Sequence, residues 1–173
     1  MKLTCFEDLK VWQLAHKLSI EVATLVKSFP KEEKYDLSSQ MRRSARSIPS
    51  DISEGFGRFH FNDKLTFYER CRASLGELRN HFEEALGNRY IEKDSFDRFF
   101  QEMSEIGYLL NKMMRNVGKA RASYEARRKL KPRSSRKLTS NGHHSFPVPF
   151  RDSLPIRRTK ALMELNKLNE GFL

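Results

Sequence analysis

A chain of 173 residues, 38% hydrophobic and 32% charged, can bury one core beneath a broad polar surface. Its net charge of +11 and sequence pI near 9.8 favour acidic partners, nucleic acid first and an anionic membrane surface second. No apolar run approaches the roughly 20 residues of a membrane span, the N-terminus MKLTCFEDLK lacks a signal-peptide core, and two cysteines make no disulfide framework. The expectation is a reduced, cytoplasmic protein with no membrane partner.

Taken in order, the apolar spacing predicts a first helix from Phe6 or Asp8 to Ser28, closed by Pro30. Its inner face is read as Leu9, Trp12, Ala15 or His16, Ile20 (or Ser19), Ala23 and Val26, with Leu14, Leu18, Val22 and Leu25 widening the stripe. His16 is read as a polar side chain on a bundle helix and not as a ligand. Pro30 to Asp36 is a short loop, with Asp36 able to cap the second helix. That helix, within Leu37 to Arg58, turns Leu37, Met41, Ala45, Ile48, Ile52 and Phe56 to one side. Pro49 lies inside it and predicts a kink near Ala45 to Ile48, which packing by Ile48 and Ile52 must outweigh. Gly55 and Gly57 are expected to end the helix through the left-handed conformation.

The loop Arg58 to Phe61 interleaves aromatic and basic residues. Phe59 and Phe61 are expected either to fold back on the bundle or to fill a neighbouring subunit's groove. Asn62 is the expected cap of a third helix, in which Leu65, Tyr68, Cys71 or Arg72, Leu75, Leu78, Phe82 and Ala85 form a near-heptad seam down to Gly87. Cys71 on this seam is expected to be a buried thiol, and Ala73 and Gly76 are small enough to permit close helix approach. After a loop from Asn88 to Lys93, Asp94 or Ser95 is expected to cap a fourth helix. Its apolar face is Phe96, Phe99, Phe100, Met103, Ile106, Leu109 or Leu110, Met113 and Val117, and Gly118 marks its expected end. Short connections make successive helices antiparallel. The predicted fold is all-α: an up-down antiparallel four-helix bundle over residues 1–118, followed by a basic extension over 119–173. Lys119 to Leu130 can extend the fourth helix as a solvated, basic segment. Pro132 to Phe150 reads as disordered, and a weak helical pattern returns at 155–169. Residues 119–173 hold 14 Lys and Arg against four Asp and Glu, whereas residues 1–118 hold 19 against 18, so the positive charge belongs to the extension.

The stretch RRSARSIPSDISEGFGR, with FEDLKVWQLA before it, FPKEEKYDLSSQ leading into it and FYERCRASLGELRNHFEEA after it, resembles the bacterial four-helix-bundle family named for open reading frames in 23S rRNA intervening sequences. The likeness runs from about Phe6 to Val117. Asp51 stands where that family usually has Asn, Ser53 where it has Ala, Ala73 where it has Gly, and Asp36 replaces a common Gly. The resemblance implies a symmetric homo-oligomer, a pentameric ring of bundles. The fold is also similar to that of the accessory proteins of diversity-generating retroelements, which bind nucleic acid and a reverse transcriptase. A reverse-transcriptase partner enters here by that analogy alone.

Chemistry is sparse. A di-iron bundle needs facing carboxylates and Glu-x-x-His motifs, and none is present. Glu77 with His81 has the spacing of a metal pair but stands on one helix, and His143 with His144 lacks a third ligand, so no metal or other cofactor is expected. No P-loop, dinucleotide loop, nucleophile elbow or Cys-x-x-Cys pair appears, and Ser44, Ser47 and Ser74 have no adjacent His, so no catalytic residue is named and an enzyme is not expected. A polar seam holds Arg43, Ser47, Asp51 and Glu54 with Ser74 and Glu77, and all of these but Asp51 match family motif positions. It is read as structural, with Arg43–Glu77 or Arg72–Glu54 as the expected buried pair. Nucleic-acid contacts are expected from Arg42, Arg46 and Arg58 on the bundle and from Arg127, Arg128, Lys129, Lys131, Arg133, Arg136 and Lys137 beyond it. Lys and Arg neutralise phosphates without reading sequence, and loop aromatics stack on unpaired bases. The leading expectation is a non-enzymatic oligomer that binds RNA or single-stranded DNA. The alternative is a protein-binding oligomeric scaffold whose tail is passive.

Overall fold

The computed structural model of the chain describes residues 5–130. Four helices form an up-down bundle, and no strand occurs among the described residues: α1 (Lys10–Leu25), α2 (Leu37–Gly57), α3 (Phe61–Gly87) and α4 (Lys93–Leu130). Each helix packs on the next, and α4 returns to α1. The antiparallel register is visible in paired residues. Glu21 and Lys17 of α1 meet Arg98 (2.6 Å) and Glu102 (3.4 Å) of α4. Phe82 of α3 lies 4.8 Å from Phe99 of α4, and Phe61 at the start of α3 lies 6.0 Å from Tyr124.

The core is built from stripes that sequence periodicity anticipates. In α3 the buried positions Lys64, Tyr68, Cys71, Leu75, Leu78, Phe82 and Ala85 alternate by four and three, and in α4 Phe96, Phe99, Met103, Ile106, Leu110, Met113 and Val117 do the same. This is the repeat of helices packed at a shallow crossing angle. On α1 the outcome differs from the expected face. Val11, Ala15, Leu18, Ser19 and Val22 are buried, as is Val26 just past the helix, so Ala15 and Ser19 and not His16 and Ile20 face inward; Trp12 and Ala23 are half-buried, and Ile20 is exposed. Two apolar stripes compete on that helix, and the places of α2 and α4 decide between them. Leu110, not Leu109, is the buried member of its pair on α4.

Helix ends depart most from expectation. Pro49 is buried and α2 runs through it, held by Ile48 and Ile52, both wholly buried. No described glycine has positive φ, so neither Gly55 nor Gly57 ends α2 by a left-handed turn; Arg58 leaves in extended conformation. Asp36 precedes α2 without a side-chain cap. Glu33, from a 3₁₀ turn over Lys31–Tyr35, accepts the Leu37 N–H at 3.3 Å instead. Asn62 lies inside α3, which starts one residue earlier after an uncapped His60, and α4 begins at Lys93, ahead of Asp94 and Ser95. Among the described residues the left-handed one is Arg89 (φ 60°). Its N–H donates to the Leu86 carbonyl (3.0 Å) and that of Tyr90 to Ala85 (2.8 Å), which closes α3 in a Schellman motif two residues beyond Gly87. Gly118 does not stop α4, which continues to Leu130 with the side chains of residues 121–129 exposed. Residues 131–173, including the expected helix at 155–169, lie outside the described residues.

Candidate nucleic-acid interface

The up-down order brings three segments to one end of the bundle: the last turn of α2, the corner Arg58–His60 with the first turn of α3, and the C-terminal third of α4. Because Phe61 meets Tyr124, the six residues after Tyr124 overhang the start of α3 by about 9 Å at the usual helical rise.

The corner rests on packing inside the bundle. Tyr68, 2% exposed, lies against Gly55 so closely that a Cβ there would sit 2.8 Å from its Cδ1, so only glycine admits this approach of α3 to α2. Lys64 is 7% exposed and donates from Nζ to the carbonyls of Phe56 (2.7 Å) and Gly55 (3.2 Å), two of the acceptors a helix C-terminus leaves open. Burial lowers its ammonium to a pKa of about 8. Sequence reading passes over Lys64 because lysine is expected outside. Extending the α3 heptad back one step from Tyr68 would have found it.

Around this support sit the exposed groups. Phe59 is 65% exposed and meets His60 edge-on at 5.3 Å, whereas Phe61 folds back on Tyr124. The two aromatics thus take different fates. The Arg58 guanidinium lies 4.4 Å from the Phe67 ring centre and 3.7 Å from Glu54. Arg70 stacks on the same ring at 5.0 Å and pairs with Asp51 at 3.2 Å. On α4, Arg127, Arg128 and Lys129 are exposed, and Arg121 is paired with Glu125 at 2.9 Å.

The other expected residues are spread more widely. Arg46 is exposed on α2. Arg42 is half-buried and donates to the Lys34 carbonyl (3.0 Å), which fastens the α1–α2 connection. Lys131, Arg133, Arg136 and Lys137 lie outside the described residues. In the polar seam Arg43, Glu54 and Glu77 are exposed, Ser47 and Ser74 are half-buried, and Asp51 alone is buried among the charged members. Neither Arg43–Glu77 nor Arg72–Glu54 is among the described ion pairs. The antiparallel register sets Asp51 opposite Arg70 instead. Desolvation raises the Asp51 pKa and Arg70 opposes the shift, with Glu54 adding repulsion. Burial, reinforced by the Asp51 charge, pushes the Cys71 thiol up to about 12, which leaves it protonated and inert. His81 lies between Glu77 (3.7 Å) and Glu84 (3.8 Å), and no group of three or more His, Cys, Asp or Glu able to hold a metal occurs among the described residues. His16 is exposed and stacks on Trp12 at 4.8 Å.

The arrangement can neutralise phosphates along α4 and offer an aromatic face at the corner. It brings Arg58 together with Arg127, Arg128 and Lys129 at one end, and leaves Arg46 on the flank.

Comparison with known proteins agrees with this architecture. No curated protein matches the chain in sequence. A solved structure of a protein of unknown function from the S23 ribosomal protein family of Bacteroides thetaiotaomicron superposes with a TM-score of 0.57 at 21% identity, over 61% of this chain and 95% of that one, a likeness of fold. The family model for the 23S rRNA-intervening sequence protein matches residues 7–112, from the turn before α1 well into α4. With the bundle, its helical register and the Leu37–Gly57 motif in place, the chain belongs to the 23S rRNA-intervening sequence protein family.

Proposed function

We propose that the chain acts in the cytoplasm as a non-enzymatic homo-oligomer that binds RNA or single-stranded DNA, largely without regard to sequence. The observation that carries this reading is the end of the bundle where the overhanging turns of α4, with exposed Arg127, Arg128 and Lys129, run past the corner that exposes Phe59 beside Arg58. Cationic side chains supply affinity through counterion release, and an exposed ring stacks on a base only where that base is unpaired. The charge distribution supports the same reading, since nearly all of the net charge lies after Gly118. The pentameric ring is proposed on family resemblance, and a ring would repeat these contacts.

The test is binding of mixed-sequence single-stranded RNA to the full chain across a salt series. Each phosphate neutralised should contribute a slope of about −0.7 in log K against log salt. The full chain should show a steep slope, a chain ending at Leu130 a shallower one, and a chain ending at Gly118 the weakest binding. No binding at low salt would overturn the reading. The competing reading, a protein-binding scaffold, is favoured by exposed Ile20, Tyr35 and Tyr108. It predicts that neither the full chain nor either truncation binds RNA at low salt, whereas an affinity that truncation leaves unchanged would put the site on the bundle surface and make the tail passive.

A further inference from the structure

Lys64 is a buried lysine whose ammonium is turned onto the end of α2. Its Nζ is spent on the carbonyls of Gly55 and Phe56, and none of the described ion pairs gives it a carboxylate. Among the described hydrogen bonds Lys64 supplies the side-chain donor to the terminal carbonyls of α2, while Arg58, against Phe67 and Glu54, and Tyr68, on Gly55, brace the same helix ends by charge and packing. Among the described backbone bonds the α2 terminus is closed by the Arg58 N–H to the Gly55 carbonyl, at a long 3.3 Å, and α3 starts at Phe61 after His60, which provides no side-chain cap. Between them lie only Arg58, Phe59 and His60. A cation at the negative end of a helix, reaching from the first turn of the next, fixes both the end of α2 and the angle at which the chain leaves it. Tyr68 pressed on Gly55, one turn further into α3, holds the same two helices at that separation.

We propose that Lys64 is a positioning residue for the nucleic-acid interface: from inside the bundle it clasps the end of α2 to the start of α3 and so fixes the corner that presents Arg58 and Phe59 to a single strand. The proposal rests on the functional reading above. It adds a residue that touches no phosphate yet governs affinity.

A buried residue that acts through the corner differs in three ways from one that binds phosphate or merely stabilises the fold. In the full chain, Lys64→Met should speed hydrogen exchange at the Arg58 amide about tenfold, while amides of the Phe82–Phe99 region keep their protection. RNA affinity should fall about fivefold with the salt slope unchanged, because no phosphate contact is lost. In a background carrying Arg58→Ala and Phe59→Ala, the same substitution should cost less than about twofold, since the groups it positions are gone. An unchanged Arg58 amide, an equal loss of affinity in both backgrounds, or a reduced salt slope would overturn the proposal. If Lys64→Met does not fold, Lys64→Gln, whose uncharged amide nitrogen falls one bond short of the lysine Nζ, is measured for the same outcomes. If the unmodified chain binds no RNA, the functional reading fails on its own. The exchange measurement then decides whether Lys64 holds the corner.

Discussion

Gly55 and Tyr68 show how one missing atom sets the distance between two helices. Gly55→Ala places a methyl group inside the Tyr68 ring, and neither the backbone of α2 nor a wholly packed tyrosine can withdraw freely. Urea unfolding should show a loss of about 1–3 kcal/mol, the usual cost of overpacking, and Gly57→Ala, with open space at its Cβ, should show none. Arg89 presents the opposite case, a side chain on a left-handed residue that glycine would occupy without strain. Arg89→Gly should raise stability by about 0.5–1 kcal/mol, measured by the same unfolding curves. Lys64 carries a pH signature. Its folded-state pKa, near 8, lies below the ordinary lysine value, so between about pH 8 and 10.5 the unfolded chain holds the extra proton. Stability of the wild-type chain, measured against Lys64→Met, should therefore rise with pH through that window, by on the order of 2–3 kcal/mol between pH 7 and 10. A flat difference would show that the ammonium is solvated.

Between elements, the α2–α3 pair is joined by charge in a place periodicity does not single out. Asp51 is buried and its partner Arg70 is mostly exposed, so the pair is half in water. Removing Arg70 leaves a desolvated carboxylate, and Arg70→Ala should cost about 1–3 kcal/mol. Asp51→Asn removes the charge that needed the partner. It should be close to neutral, and the double variant should be no worse than Asp51→Asn alone, a coupling that thermal or urea unfolding measures directly. Glu54→Ala and Arg43→Ala should each stay within about 0.5 kcal/mol in the single chain, because both side chains are exposed. The α1–α4 contact shows the same economy at the surface. Lys17, Glu21, Arg98 and Glu102 form a four-residue network that fixes register more than it adds stability.

For the whole molecule the division between bundle and extension falls later than the charge boundary. Among the described side chains of α4 the last buried one is Val117, but Tyr124 still covers Phe61. A chain ending at Leu130 should melt within about 2 °C of the full chain. One ending at Gly118 should lose about 1 kcal/mol as Phe61 is uncovered. Light scattering on the same three lengths measures assembly. A monomeric mass for the full chain at micromolar concentration would remove the ring from the proposed function, while loss of oligomer only on cutting at Gly118 would place a contact on the overhang.

The four helices, their order and most of the core were legible because each helix buries one stripe, and a stripe of apolar side chains has a period that sequence records. The Leu37–Gly57 motif likewise recorded the family. What sequence left open was the choice between equally apolar stripes on α1, the way each helix ends, and the members of the charged seam. Leu18 inside and Ile20 outside, the left-handed turn at Arg89 and not at Gly55 or Gly57, and Asp51 facing Arg70 in place of Arg43 facing Glu77 all depend on where a neighbouring helix lies. For the candidate interface, sequence named Arg58, Phe59 and the basic run on α4 as separate features. Only the antiparallel packing, which sets Tyr124 against Phe61 and sends Lys64 inward to the end of α2, brings them to one place, because residues more than sixty positions apart become neighbours only through tertiary contact.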